Sequence, residues 1–343
     1  MGRQSRPRPE TEERENFWKG LARDALIALV IVAMILGAMY AYAGNWPPLV
    51  VVESSSMQHG DTVSSLGVID TGDMVFQQAA PTRDSVITYI EGRARGYSTY
   101  GDYGDVIIFR RASDPTPVIH RAIMYVTLHV GGTADVPDIL GLPMSDWVAR
   151  NATGPTENPY GLESLLIRNL GFEHNINLTF TFDTFSASVD RTGYITMGDH
   201  NSFRQCRSQR DDCRSGYDPY SWMPRLEDVQ GRSRGEIPWI GLIKLIFQPG
   251  TCCPSGWGDP SAPRNSWDSL LVTLIVLIAL PFLVEYSGRG WTKYVSPHLP
   301  EIRWPWRKAK TADPIPTDPE PDSLDLDDEI DSDEPPREGS SGP

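Results

Sequence analysis

Val50-Val51-Val52-Glu53-Ser54-Ser55-Ser56-Met57 decides how this chain is read. A β-branched run enters the stretch, three serines follow and a methionine closes it. Branched side chains favour extended backbone, so Leu49–Val52 predicts a short strand with Ser56 just past its end. Immediately upstream, Ala25–Ala43 carries no charge and is mostly Ala, Leu, Ile, Val and Met. These nineteen residues, at about 1.5 Å each, span about 28 Å, close to a bilayer's hydrocarbon core. Trp18 precedes the run, and Tyr40, Tyr42 and Trp46 lie near its end, where amphipathic rings suit the interface. Arg3, Arg6, Arg8, Arg14, Lys19 and Arg23 lie on its N-terminal side, and such a basic flank marks the cytoplasmic face. A cleaved signal peptide is the rival reading. The run is long for one, and Asn45-Trp46-Pro47-Pro48 follows in place of a small-x-small cleavage site. The expectation is a cytoplasmic N-terminus over 1–24, an anchor over 25–43, and Ser56 close to the outer membrane surface.

Downstream the pattern is β-rich. Gly72–Phe76, Gly104–Arg110 and Pro117–Val126 read as strands, each opened by a turn signal. Asn177–Val189 alternates Leu178, Phe180 and Phe182 with polar residues, the mark of a half-buried strand. Tyr194–Met197 is a further apolar run, and Val229–Gly241 leads into apolar Leu242–Phe247. Residues 131–175 are rich in Gly, Pro and Asn, with a short helix predicted near Leu162–Asn169. They read as an insertion at the edge of a β domain over 45–247. A Cys-containing linker over 248–268 leads to a second apolar run, 269–284, flanked by Trp267 and Trp291. Its sixteen residues give about 24 Å, short for a span. Arg289, Lys293, Arg303, Arg307, Lys308 and Lys310 follow it, which suits a return to the cytoplasm.

The net charge of −14 is concentrated at one end. Asp313–Pro343 holds twelve acids and one arginine, or −11, which leaves about −3 for the rest. That tail cannot bury enough apolar surface to offset ordering entropy and is expected to be disordered within a cytoplasmic segment over 285–343. The body has no basic footprint of the kind nucleic-acid binding requires. Arginines outnumber lysines roughly fivefold, a bias suggesting a GC-rich source. Cys206, Cys213, Cys252 and Cys253 lack a standard zinc spacing. In an extracytoplasmic domain they read as disulfides, with three pairings open. Asn151-Ala152-Thr153 and Asn177-Leu178-Thr179 are N-glycosylation tripeptides that matter only on that side of the membrane.

Serine is a poor nucleophile until a base takes its proton, and the base needs an orienting group. Ser56 at a strand end, His120 inside a strand and Asp199 just after one are the candidate parts. At these residues the chain resembles a type I signal peptidase of the archaeal and endoplasmic-reticulum branch. Ser55-Ser56-Met57 resembles the nucleophile box behind the anchor. Gly104–Phe109 with Val118-Ile119-His120-Arg121 resembles the box of the general base, histidine in this branch and lysine in the bacterial one. Ile195–Asn201 resembles the Gly-Asp-Asn box, with His200 in place of the usual asparagine. Gly231-Arg232 followed by Ile237-Pro238-Trp239-Ile240-Gly241 resembles the box after it. The resemblance covers roughly residues 45–247, with the boxes in family order. It also implies a second acid shortly after Asp199, where this chain has Gln205. Counting back from Gly231 favours Asp212; Asp211 and Asp218 are the rivals.

The resemblance implies a mainly β, signal-peptidase-like catalytic domain with an N-terminal and a C-terminal transmembrane helix. It implies a serine endopeptidase that removes signal peptides from exported preproteins without cofactor or metal. Ser56 attacks, His120 is the base, and Asp199 and Asp212 support it. The Ser56 N–H, with a Ser54 or Ser55 hydroxyl, would hold the oxyanion. Expected partners are preproteins, the lipid membrane and the export machinery, and no nucleic acid. The expected location is integral to the cell membrane, with the catalytic domain outside and both termini cytoplasmic. His59, His129, His174 and His298 read as surface or loop residues, and Met57 as a packing residue. The alternative function is a non-catalytic, membrane-anchored binding or assembly module on the same scaffold; a peptidase restricted to a narrow substrate set is a further variant.

Overall fold

The structure, a computed structural model, describes residues 10–111, 114–185, 188–247 and 261–290. Cys252, Cys253, His298 and the acidic tail lie outside the described residues. The chain divides into two compact units, Met1–Phe282 and Leu283–Pro343, and the serine turn and every strand belong to the first.

Helix α1 (Glu10–Ala43) leads to β1 (Leu49–Val51), a 3₁₀ turn at Ser55–Met57 and β2 (Met74–Gln78). Then come α2 (Tyr89–Arg95), the two-residue strands β3 (Ser98–Thr99) and β4 (Asp102–Tyr103), β5 (Val106–Arg111) and β6 (Asp114–His129). Strands β7 (Thr133–Asp135), β8 (Trp147–Asn151), β9 (Gly154–Thr156), β10 (Ser164–Leu170) and β11 (Ile176–Thr181) come next. The chain closes with β12 (Arg191–Met197), α3 (Asp199–Cys206), β13 (Val229–Ile237), α4 (Leu242–Phe247) and α5 (Arg264–Gly290).

One antiparallel sheet runs β1-β2-β13-β5-β6-β12, with β7 added beside β6. A second, four-stranded antiparallel sheet runs β11-β10-β8-β9 and is made entirely from the predicted insertion and the strand after it. The helix predicted near Leu162–Asn169 is instead β10. Leu165, Ile167 and Leu170 turn inward while its backbone pairs with β8 on one side and β11 on the other. Period-two burial with two ladders outweighs local helix propensity. Helix α2 is an element the strand pattern does not predict; the capping box Thr88–Glu91 opens it by satisfying the first free backbone N–H groups.

By composition the fold is mixed rather than mainly β: 36% helix against 30% strand. The reason is α1 and α5, with 34 and 27 residues. Phe17–Ala43 and Arg264–Ser287 are long and apolar enough to cross a membrane, and the first also fits a signal sequence on those grounds. The second is longer than the charge-free run alone, because the helix starts at Arg264. Its first turns are anchored to the body. Trp267 and Leu270 pack with Leu242 and Leu245 of α4 and with Val51, and Asn265 exchanges two hydrogen bonds with the Ser64 backbone.

Candidate active site

The serine turn is fixed from below. Val52 N–H donates to Asp73 O at 2.8 Å, and Gly72 N–H returns a bond to Val52 O at 2.9 Å. Met57 is buried in a cluster with Ile69, Val75, Val106 and Ile108, in keeping with a packing role. Ser56 is half-buried, and its Oγ lies 3.2 Å from Ser54 Oγ.

His120 is held within β6 opposite Ile107 of β5 and is only 4% exposed. Its Nδ1 lies 2.6 Å from Asp218 Oδ2. The same oxygen accepts the Thr196 hydroxyl at 2.6 Å, and Asp218 N–H donates to Thr196 O at 2.9 Å. A carboxylate accepting Nδ1–H leaves the lone pair on Nε2, the tautomer a general base needs. Nε2 comes close to the serine turn at Gly198. A Cβ there would lie 3.1 Å from His120 Nε2 and 2.6 Å from Ser56 O, so only glycine lets the three segments meet. Ser56 and His120 are not hydrogen-bonded to each other; catalytic contacts of this kind commonly tighten only when substrate binds.

Asp199 does not reach His120. Its two oxygens accept from Arg121 Nε at 2.9 Å and Nη2 at 2.6 Å, and Oδ2 also lies 3.1 Å from His59 Nε2. The reason is strand geometry: consecutive residues point to opposite faces. His120 faces Thr196 and Asp218, and Arg121 faces Asp199. Arg121 is fully buried, and its Nη1 donates to the carbonyls of Thr99, Asp102, Tyr103 and Gly104. Burial by itself would raise the Asp199 carboxyl; the Arg121 charge and hydrogen bonds outweigh it and hold Asp199 below the usual carboxylate range. Asp102, buried beside the same arginine, is pushed up to about 7 because desolvation wins there.

Asp212 is not at the site either. It is solvent-exposed, 3.3 Å from Arg214, at the tip of the cysteine loop, and Asp211 is exposed beside it. The carboxylate that reaches His120 is the rival, Asp218. Cys206 and Cys213 form a disulfide, Cys213 bridges Leu178, and Gly216 turns against Ser202 and Cys206. That route folds the chain back until Asp218 lies over Thr196.

The remaining histidines divide. His129 stays at the surface between Asp135 and Asp190. His200 is buried, with Nδ1 3.1 Å from Gln58 O and Nε2 3.0 Å from Asp61. His59 stacks on Phe172, and His174 lies against Tyr103. His174 is exposed, as expected of a loop residue. Sequence reasoning missed the inward placement of His59 and His200 and the part of Thr196; the one available signal was the run Gln58-His59 just after Ser56-Met57. Among the described residues no group of three or more His, Cys, Asp or Glu is placed to hold a metal.

Ser56 and His120 open onto a groove of about 680 Å³ lined by Val50, Val52, Pro117 and Ile119. Among the described residues β1 has a neighbouring strand on one side only. β12 joins β6 only from Arg121 onward, so β6 before that point pairs with β5 alone. Two unpaired strand edges therefore border the groove, and an extended peptide can add to such edges. No protein-family profile matches the sequence, and no curated protein is significantly similar to it.

Proposed function

We propose that the chain is an integral-membrane serine endopeptidase of the type I signal peptidase kind, in its Ser-His branch. One observation carries the reading. His120 is oriented through Nδ1 by a buried carboxylate, and its other nitrogen shares the Gly198 face with the Ser56 turn. The ordered sequence boxes and the groove bordered by strand edges support it.

In this reading a preprotein lies in the groove as an extended strand, its small side chains against Val50, Val52 and Ile119. Ser56 Oγ attacks the scissile carbonyl carbon while His120 Nε2 takes the hydroxyl proton. Asp218 stabilises the imidazolium without itself being protonated. The tetrahedral oxyanion accepts from the Ser56 N–H; one such donor is commonly worth about 10²–10³ in rate. Collapse breaks the C–N bond, and the imidazolium gives its proton to the leaving amine. Water, deprotonated by the same nitrogen, then hydrolyses the acyl-serine. The two apolar helices hold the domain at the outer membrane face, with both termini cytoplasmic; the export machinery is the expected neighbour.

The test uses the full chain in detergent or proteoliposomes with a preprotein. Ser56→Ala and His120→Ala should abolish cleavage while both variants still insert, and Ser56→Ala should keep the wild-type unfolding midpoint. Near-normal processing by both variants overturns the proposal. A wild-type chain inert towards preproteins, yet isolated with a stable partner, favours the binding-module alternative.

A further inference from the structure

His59 comes three positions after the nucleophile and lies in no box of the resemblance. Its ring is nonetheless enclosed on several sides. Nε2 is 3.1 Å from Asp199 Oδ2. One face stacks on Phe172, with ring centres 4.1 Å apart and planes 8° from parallel. The edge lies against Gly101, where a Cβ would come within 2.8 Å of Cε1. The side chain keeps only 18% of its exposure. Asp199 in turn grips Arg121 through both oxygens, and Arg121 is the residue after His120. A continuous chain of contacts thus runs from the Ser56 turn through His59, Asp199 and Arg121 to the base.

We infer that His59 is a positioning residue that sets the reach between Ser56 and His120, and that the inserted sheet holds it in place through Phe172. This rests on the peptidase reading. Phe172 belongs to the tight connection between β10 and β11, and it also packs on Phe203 of α3 at 5.3 Å. The inserted sheet therefore contacts both the segment behind the nucleophile and the helix that begins with Asp199. Ser56 Oγ is not yet bonded to His120, so the placement of the turn decides whether it engages. The contact needed is a single hydrogen bond from the His59 Nε2–H to the Asp199 carboxylate that Arg121 already grips.

The experiment compares His59→Ala, His59→Gln, His59→Met and Phe172→Ala in the full-length protein. It reads steady-state cleavage of a preprotein and hydrogen exchange of the amides around Ser56. His59→Ala should lower kcat by about 10–100-fold at nearly unchanged KM, the scale of a misplacement near 1 Å. Amides of residues 54–59 should exchange faster, with the two sheets unaffected. His59→Gln, whose amide N–H reaches Asp199, should recover most of the rate. His59→Met, of similar bulk without a donor, should not. Phe172→Ala should fall between. Should His59→Ala fail to fold, the Gln–Met pair decides: equal rates and equal exchange overturn the inference. Wild-type kcat and exchange in His59→Ala overturn it too. A wild-type chain inert towards preproteins, whose turn still loosens in His59→Met but not in His59→Gln, sinks the peptidase reading and leaves the positioning role standing.

Discussion

In the inserted sheet the inward positions are Trp147, Ala149, Leu165, Ile167, Leu178 and Phe180, all buried. In the larger sheet, strand β6 buries a histidine and an arginine side by side, with Asp218, Asp199, Asp102 and Thr196 buried around them. The first region is stabilised by apolar area removed from water, roughly 25 cal/mol per Å². The second puts charge where desolvation is costly and recovers it only through complete pairing. The contrast separates a part of the molecule that supplies rigidity from a part that holds reactive groups in set orientations. Polar groups that break the apolar pattern of a strand are expected at working sites, and here they sit on both faces of β6 around His120 and Arg121.

The sharpest way to test this division is to exchange Asp218 and Asp199, each in turn, for asparagine. Asp218→Asn puts an amide opposite His120 Nδ1 and favours the wrong tautomer. We expect kcat to fall about 10³–10⁴-fold, as for the third member of serine triads generally, with little change in the thermal midpoint. Asp199→Asn should behave in the opposite sense. It removes the counter-charge of a fully buried arginine, which commonly costs about 3–5 kcal/mol of stability. The midpoint should drop well below wild type, while turnover per folded molecule falls less than in Asp218→Asn. Equal loss of turnover in both would mean that the two faces of β6 do not divide the labour.

Phe180→Ala probes the other region. The ring is fully buried in the largest apolar cluster, so truncation should cost about 3–5 kcal/mol. Below the lowered midpoint, kcat should fall far less than in Asp218→Asn, because Phe180 reaches the site only through its ring contact with Tyr217, the residue before Asp218. A kcat that falls as far as in Asp218→Asn would erase the distinction between support and site.

Legibility in the sequence obeys the same divide. Strands with clear alternation, such as Leu178–Phe182, are readable because the burial of alternate residues imposes the period. Ser56 and His120 are readable by order and resemblance, and the fold brings both to one groove. The supporting acid is not. A side-chain partner on one strand face depends on where a long loop returns, and here a disulfide and Gly216 decide that return. Spacing along the chain therefore favours Asp212, and the resemblance pairs Asp199 with His120 where strand alternation gives Asp199 to Arg121. His59 escapes notice because a lone histidine after a turn carries no pattern of its own. Its partners Phe172 and Asp199 lie more than a hundred residues away. The helix expected in place of β10 has a similar origin: Leu162–Asn169 suits either period until neighbours are known.

The smallest expected effect concerns a carboxyl beneath the serine turn. Asp70 is 1% exposed and its carboxyl is raised by burial to about 6, against 3.8 for an ordinary aspartate. Hydrogen bonds from Ser64 and Ser65 and the nearby His59 offset this only in part, and Asp73 and Glu236 are close. A carboxyl raised in the folded state favours its neutral form there. Its contribution to stability is thus full below the unfolded value near 4 and is lost as pH rises through about 6. The span between the two values limits the effect to about 3 kcal/mol. Asp70→Asn is neutral throughout and should remove this dependence. Denaturant unfolding from pH 4 to pH 8 should show the variant gaining on wild type as pH rises, with the crossover centred near pH 5–6. Asp73, raised to about 7 by burial, still titrates in both proteins, so the informative quantity is the difference between the two curves. A difference that stays flat with pH would mean that Asp70 is charged in the fold. Burial beneath the site would then be tolerated there by pairing, as it is around Arg121.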